Sequence, residues 1–261
     1  VILGLLEGGQ SWAWTSGASF TVFGIGVAAL VVFAKVERRA ENPILPLWVF
    51  TRHILVASSL VSVIVGAVVL GLTSYVPTYV QGVLGTGALV AGFALATLTL
   101  GWPIAASLSG KVYLRFGFQR TALAGAVVAS VGTVLMTLLG VDSQIWEVAV
   151  FCFVIGLGMG LVASPTLIAA QSSVDWSERG VVTSTNMFAR SIGSAVGVAI
   201  FGALVNARVG GTDHPAPEQL SGAVHLVFLG VAGATIVMIA AAAAMPRRRQ
   251  RESAPLIEPA R

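Results

Sequence analysis

Arg190 is the residue whose chemistry most needs explaining. It stands inside a long apolar run, FARSIGSAVGVAIFGAL. An arginine deep in hydrocarbon costs at least about 2.5 kcal/mol unless it meets a partner or water. It therefore either lines a polar pathway and changes partners, or forms one half of a static buried pair. At about 100° per residue, Thr183, Asn186, Arg190, Ser194 and Gly197 share one helical face. Phe188, Ile192 and Ala199 share the opposite face. A polar stripe beside an apolar one predicts a helix half lined by cavity or protein and half by lipid. Ser74 and Tyr75, on another apolar run, are further pathway candidates. Tyr79 and Gln81, closer to the turn that follows, read as interfacial anchors. Gly156, Gly158 and Gly160, and the Gly193/Gly197 step, are small residues of the kind that let membrane helices approach closely. Trp102, beside Pro103, reads as packing.

Other chemistries find no support. GLGMGL lies mid-span, with no strand before it and no lysine, so it is not a nucleotide loop. His53, His214 and His225 lack metal-ligand spacing. Cys152 is the single cysteine, inside a span, so no internal disulfide can form. Glu147 and His225 sit at span ends and read as wet interfacial groups. The sequence predicts no enzyme, metal or cofactor.

These residues must be carried by membrane helices. The chain is 56% hydrophobic and 10% charged, where an average soluble domain is roughly 25% charged. Its mean hydropathy is +0.89. The expectation is an all-α integral membrane protein with seven full transmembrane helices plus the end of an eighth. The spans are expected at about 17–34, 54–80, 88–107, 121–141, 146–169, 181–206 and 223–245. Pro77 is expected to break the outer end of the second, and Pro103 to kink the third. Trp12 and Trp14 read as an aromatic belt, and LPLWVF as a short interfacial helix. Residues 1–6 read as the tail of a span whose beginning is missing, in the C-terminal part of a longer protein.

The net charge of +4 does not call for nucleic acid. Of the 15 basic residues, all but Arg190 and Arg208 fall in segments assigned to one side. That bias marks the side as cytoplasmic. It includes the linker at 35–53, the loop at 110–120 and the basic tail at 246–261.

Several segments together resemble the major facilitator superfamily, and within it the 14-span drug:proton antiporters of the EmrB/QacA type. They are Glu37…Pro43-Ile44-Leu45…Phe50-Thr51-Arg52; Tyr79-Val80-Gln81-Gly82-Val83-Leu84-Gly85 with Ala91-Gly92; and Gly110…Arg115-Phe116-Gly117…Arg120. The glycine run 156–160 with Pro165, and Arg190-Ser191-Ile192-Gly193-Ser194-Ala195-Val196-Gly197-Val198-Ala199, complete the set. The family's inner loop usually reads Gly-x-Leu-x-Asp-Arg-x-Gly-Arg-Arg. Here Gly110, Arg115 and Gly117 match, but Leu114 stands at the acidic position. A charge lock through that acid is not expected, and Lys111, Arg115 and Arg120 would serve orientation.

The resemblance implies that residues 1–6 and 17–34 belong to two extra central helices. It implies that 54–245 is a C-terminal six-helix bundle whose N-terminal counterpart is absent from this chain. It implies proton-coupled efflux of small amphipathic molecules from the plasma membrane, by rocking of two bundles, with the proton gradient as energy source and the C-terminus cytoplasmic. Two alternatives stay open: a membrane scaffold or receptor fragment that transports nothing, and the same fold exporting a lipid or siderophore. The topology is directly testable. In a Cys152→Ala background, Arg120→Cys should react with an impermeant maleimide only from the cytoplasmic side, and Asp142→Cys only from outside. Labelling of both from one side contradicts the assignment.

Overall fold

A computed structural model describes residues 16–37, 47–209 and 216–246. The expected helix end at 1–6, the Trp12/Trp14 belt, residues 38–46 of the linker and the tail beyond 246 lie outside the described residues. Seven long helices follow one another: α1 (Gly17–Glu37), α2 (His53–Gly82), α3 (Ala88–Phe116), α4 (Phe118–Met136), α5 (Ile145–Gln171), α6 (Arg179–Val209) and α7 (Pro217–Ala243). Short 3-10 turns at Leu47–Phe50 and Trp176–Glu178 precede α2 and α6. No strand occurs among the described residues.

Six helices, α2 to α7, are long and apolar enough to cross a membrane. The expected seventh span, 17–34, is helical but is not among those six. Its side chains are largely exposed; Phe20 and Ile25 are 72% and 66% accessible.

The six form two triplets with matching roles. α2 packs along α6 as α5 packs along α3, and α4 packs with α7 behind them. Each triplet has an odd number of crossings, so the second begins on the opposite side of the membrane from the first. This is the pattern of an inverted-topology repeat. Small residues make the two principal pairings close. A Cβ on Gly193 would run into the Val63 carbonyl, and one on Gly66 into the Arg190 carbonyl. In the other pair, a Cβ on Gly156 would meet the Leu98 carbonyl, and one on Gly160 the Trp102 carbonyl. Gly158 faces the backbone of Ala129 on α4, and Gly197 lies over Ala67 of α2.

Several boundaries differ from expectation. α2 runs through Pro77 to Gly82 without stopping. Threonine hydroxyls nearby bond backbone carbonyls, Thr73 to Val69 and Thr78 to Ser74; such bonds help membrane helices tolerate proline. α3 continues past 107 to Phe116, so Gly110, Lys111 and Arg115 lie on the helix. The expected loop 110–120 shrinks to Gly117, whose φ of 89° makes the turn that a side chain would disfavour. α4 consequently starts at Phe118 and ends at Met136, ahead of the expected 121–141.

Tyr79 is not an interfacial anchor. It is 1% exposed, its hydroxyl donates to the Gly140 carbonyl, and its ring meets Phe228 edge-on at 5.8 Å. Ala199, expected toward lipid, is 1% exposed, whereas Phe188 and Ile192 do face outward. Near its C-terminal end α6 is covered over a wider arc, because Phe201 wedges between Gly71 of α2 and Gly230 of α7. Of the LPLWVF segment, Leu47–Phe50 is described, and there Val49 is buried with Leu55, Ala170 and Val182 at the α2 N-terminal end of the bundle.

The close pairings predict a sharp contrast among glycines. Gly193→Val should lower thermal stability in detergent by the equivalent of about 1–3 kcal/mol, the usual cost of overpacking. Gly233→Ala, with nothing within 4 Å of its Cβ position, should leave the melting curve unchanged.

Candidate functional site

A cavity of about 220 Å³ lies where four helices converge. α2 contributes Val61, Ser62 and Val65, and α5 contributes Ala163, Ser164, Thr166 and Leu167. α6 contributes Asn186, Met187 and Arg190, and α3 contributes Trp102 alone. α4 and α7 take no part; they back the bundle on its far side.

Arg190 sits about 16 Å along the axis from the start of α6, near the middle of a roughly 30 Å hydrocarbon core. Its guanidinium carbon lies 4.8 Å from the centroid of the Trp102 ring, and Trp102 is itself midway along α3. Asp142, Glu147, Asp175, Glu178 and Glu218 lie at helix ends or in connections, and none of these five pairs with Arg190. A cation–π contact contributes roughly 0.5–2 kcal/mol, against a cost of at least about 2.5 kcal/mol for an arginine at a helix centre. The ring offsets part of that cost, and the cavity leaves the cation room for something more.

Asn186, 6% exposed, is held firmly. Its Oδ1 accepts from Ser62 Oγ at 2.7 Å, and its Nδ2 donates to the Val182 carbonyl at 3.2 Å. A longer contact of 3.4 Å runs from Nδ2 to Ser58 Oγ. These bonds tie α6 to α2 just below Arg190. Ser194 Oγ donates to the Gly66 carbonyl at 3.1 Å, so its hydroxyl serves the helix pairing and does not line the cavity. Thr183 lies near the N-terminus of α6, donating to the Arg179 carbonyl and accepting from Gln171 Nε2, both at 2.8 Å. Ser74 is exposed and Tyr75 half-buried. Both lie about 15 Å further along α2 than the cavity. Of the six pathway candidates, the structure brings only Arg190 and Asn186 to this cavity.

Residues the sequence reading passed over complete it. Trp102 is the ring beneath the cation, not only packing. A tryptophan at mid-depth departs from the usual interfacial placement, and that departure is the signal. Ser62 holds Asn186. Thr166, 1% exposed, has an Oγ with no hydrogen-bond partner. Thr73, Thr121, Thr183 and Thr185 each return their hydroxyl to the carbonyl one turn back; Thr166 does not.

The inner-loop residues lie elsewhere. Gly117 N–H bonds the Tyr113 carbonyl, Tyr113 stacks on Phe118 at 4.7 Å, and Arg115 lies over Phe116 at 5.3 Å. Gln119 Nε2 donates to the Ala243 carbonyl at 2.6 Å, tying the α3–α4 turn to the end of α7.

Two triplets of helices around a polar recess at mid-depth form a multi-pass membrane helical bundle. Consistent with that class, a family model described as Major Facilitator Superfamily matches residues 1–198, and the chain belongs to that superfamily. It is 32% identical over 210 residues to the multidrug transporter protein MdtP of Bacillus subtilis, covering 80% of this chain and 39% of that protein. It is 29% identical to multidrug resistance protein 3 of the same organism, over 75% of this chain and 38% of that protein. It is also 29% identical to a tetracycline resistance determinant of Streptomyces rimosus, over 76% of this chain and 58% of that protein. The chain thus spans about two fifths of the length of the first two relatives.

The Arg190–Trp102 contact can be measured on its own. In a double-mutant cycle of Arg190→Gln and Trp102→Leu, read by thermal unfolding in detergent, the two residues should couple by about 0.5–2 kcal/mol. Additive effects would mean that the ring does not hold the cation.

Proposed function

We propose that this bundle is the cargo-binding half of a drug efflux transporter in the cytoplasmic membrane, with its C-terminus in the cytoplasm. The transporter exports small amphipathic molecules in exchange for protons, by rocking this bundle against a second one. The observation that carries the reading is the mid-depth cavity where α2, α3, α5 and α6 converge on Arg190. The names of the relatives, which speak of multidrug transport and of resistance, support the choice of cargo class. No cofactor enters the scheme; the proton gradient supplies the energy. The partners are the cargo, the lipid bilayer and the second bundle, and no nucleic acid is involved.

The mechanism needs a charge that can exchange partners as the cavity opens to either side. Arg190 meets that need because a ring, not a carboxylate, holds it in this arrangement. A carboxylate on the facing bundle, or the cargo itself, can then compete for the guanidinium at modest cost. Asn186, clamped by Ser62, keeps α6 in register with α2 while this happens. In the full-length protein, Arg190→Ala should abolish efflux of a fluorescent drug while leaving the amount in the membrane unchanged. A protonophore should abolish wild-type efflux. Wild-type export rates in Arg190→Ala would remove Arg190 from the mechanism, and insensitivity to the protonophore would remove the proton.

A further inference from the structure

We infer that the Arg190 cavity takes the acidic group of an amphipathic organic anion, a carboxylate or sulfonate carried on a flat apolar body. The inference deepens the transport reading and rests on it for the direction of movement, but not for the chemistry of the site.

The polar inventory of the cavity favours an acceptor. Ser62 spends its hydroxyl hydrogen on Asn186, and both ends of the Asn186 amide are engaged. Four lining groups are left to serve a ligand: the Arg190 guanidinium, the Ser164 hydroxyl, the Trp102 indole N–H and the buried Thr166 hydroxyl, which has no partner. A guanidinium carries donors only, and a hydroxyl can donate. The site therefore offers hydrogens and lacks a free carboxylate among the described residues. A cationic cargo would meet a like charge here, with no opposite charge to repay its desolvation.

Stacking and anion binding are compatible at one guanidinium. A guanidinium lying face-on over a ring keeps its N–H bonds in its own plane, pointing outward at the edge. That edge matches a carboxylate bidentately. An apolar body then lies against Val61, Val65, Leu167 and Met187. At about 220 Å³ the recess is smaller than a usual drug-sized pocket of roughly 300–1,000 Å³. It suits one end of the cargo, the rest reaching toward the opposing surface. A lipid headgroup is a poor occupant, since headgroups lie at the interface, about half the core thickness from this depth.

The test is equilibrium binding to the full-length protein in phosphatidylcholine nanodiscs, which needs no turnover. The probes share one ring system and differ in charge: radiolabelled naphthoate, naphthamide and naphthylmethylammonium. Naphthoate should bind about tenfold or more tightly than either of the others. Arg190→Gln should erase that preference, Arg190→Lys should keep part of it, and Thr166→Val should weaken naphthoate several-fold. Tighter binding of the ammonium probe, equal binding of naphthoate and naphthamide, or unchanged naphthoate affinity in Arg190→Gln overturns the inference, as does no naphthoate binding at all. Should Arg190→Gln not fold, the wild-type charge preference still decides. Anion binding without gradient-driven flux in proteoliposomes would sink the export reading and leave this site standing. Flux with a cation preference would do the reverse.

Discussion

A guanidinium at mid-membrane depth must be met by something, and the bundle meets it with backbone geometry before side-chain chemistry. Gly66 on α2 lies against the carbonyl of Arg190, and Gly160 on α5 lies against the carbonyl of Trp102. The two residues that form the cation–π contact are thus each seated by a glycine on a neighbouring helix. α3 and α6 do not pack broadly against each other. They flank the α2/α5 pair, and Trp102 and Arg190 reach toward each other across it. A methyl group at either glycine would push the flanking helix out. The ring and the cation would then part, although neither had been altered.

The same pairing explains where polarity is tolerated. In a bilayer each polar group must find a partner inside the protein. Most threonines and serines here do so by returning a hydroxyl to a carbonyl of their own helix. Others reach across to a second helix or, like Ser59, Ser130 and Thr166, are buried without a partner among the described residues. Ser194 reaches across to Gly66, and Thr133 meets Thr235 at 2.8 Å between α4 and α7. Asn186 is clamped between α6 and α2, and Thr166 is left without a partner at the cavity wall. The arrangement of triplets sets which of these are buried glue and which face the recess. The Thr133–Thr235 contact joins α4 to α7 behind the recess, and the Ser194 and Asn186 bonds join α6 to α2 beside it.

Much of this was legible in the chain. The apolar runs, the basic segments between them and the lone mid-span arginine follow from hydropathy and charge alone. The polar face of α6 also follows, from helical periodicity. What periodicity does not carry is which neighbour a face meets. Thr183, Asn186, Arg190 and Ser194 share a stripe, yet Thr183 serves Gln171, Ser194 serves Gly66, and only Asn186 and Arg190 reach the cavity. Tyr79 looked like an anchor because it precedes a turn, but the adjoining helices close over it. Gly117 turned the chain more tightly than a polar loop of that length suggests, because one residue at positive φ suffices to reverse two helices.

Arginine–tryptophan contacts draw the dividing line. Arg52 over Trp48 at 5.1 Å and Arg179 over Trp176 at 4.8 Å join residues within one turn of each other, a spacing visible in the sequence itself. Arg190 over Trp102 is the same chemistry between distant positions. The sequence by itself determined that helices cross a membrane, that most basic residues fall in the segments between them, and that a buried cation needs an answer. Those are properties of single segments in contact with lipid or water. Only the tertiary structure decided that the answer is an indole on α3, because that choice depends on how closely glycine lets one helix approach another.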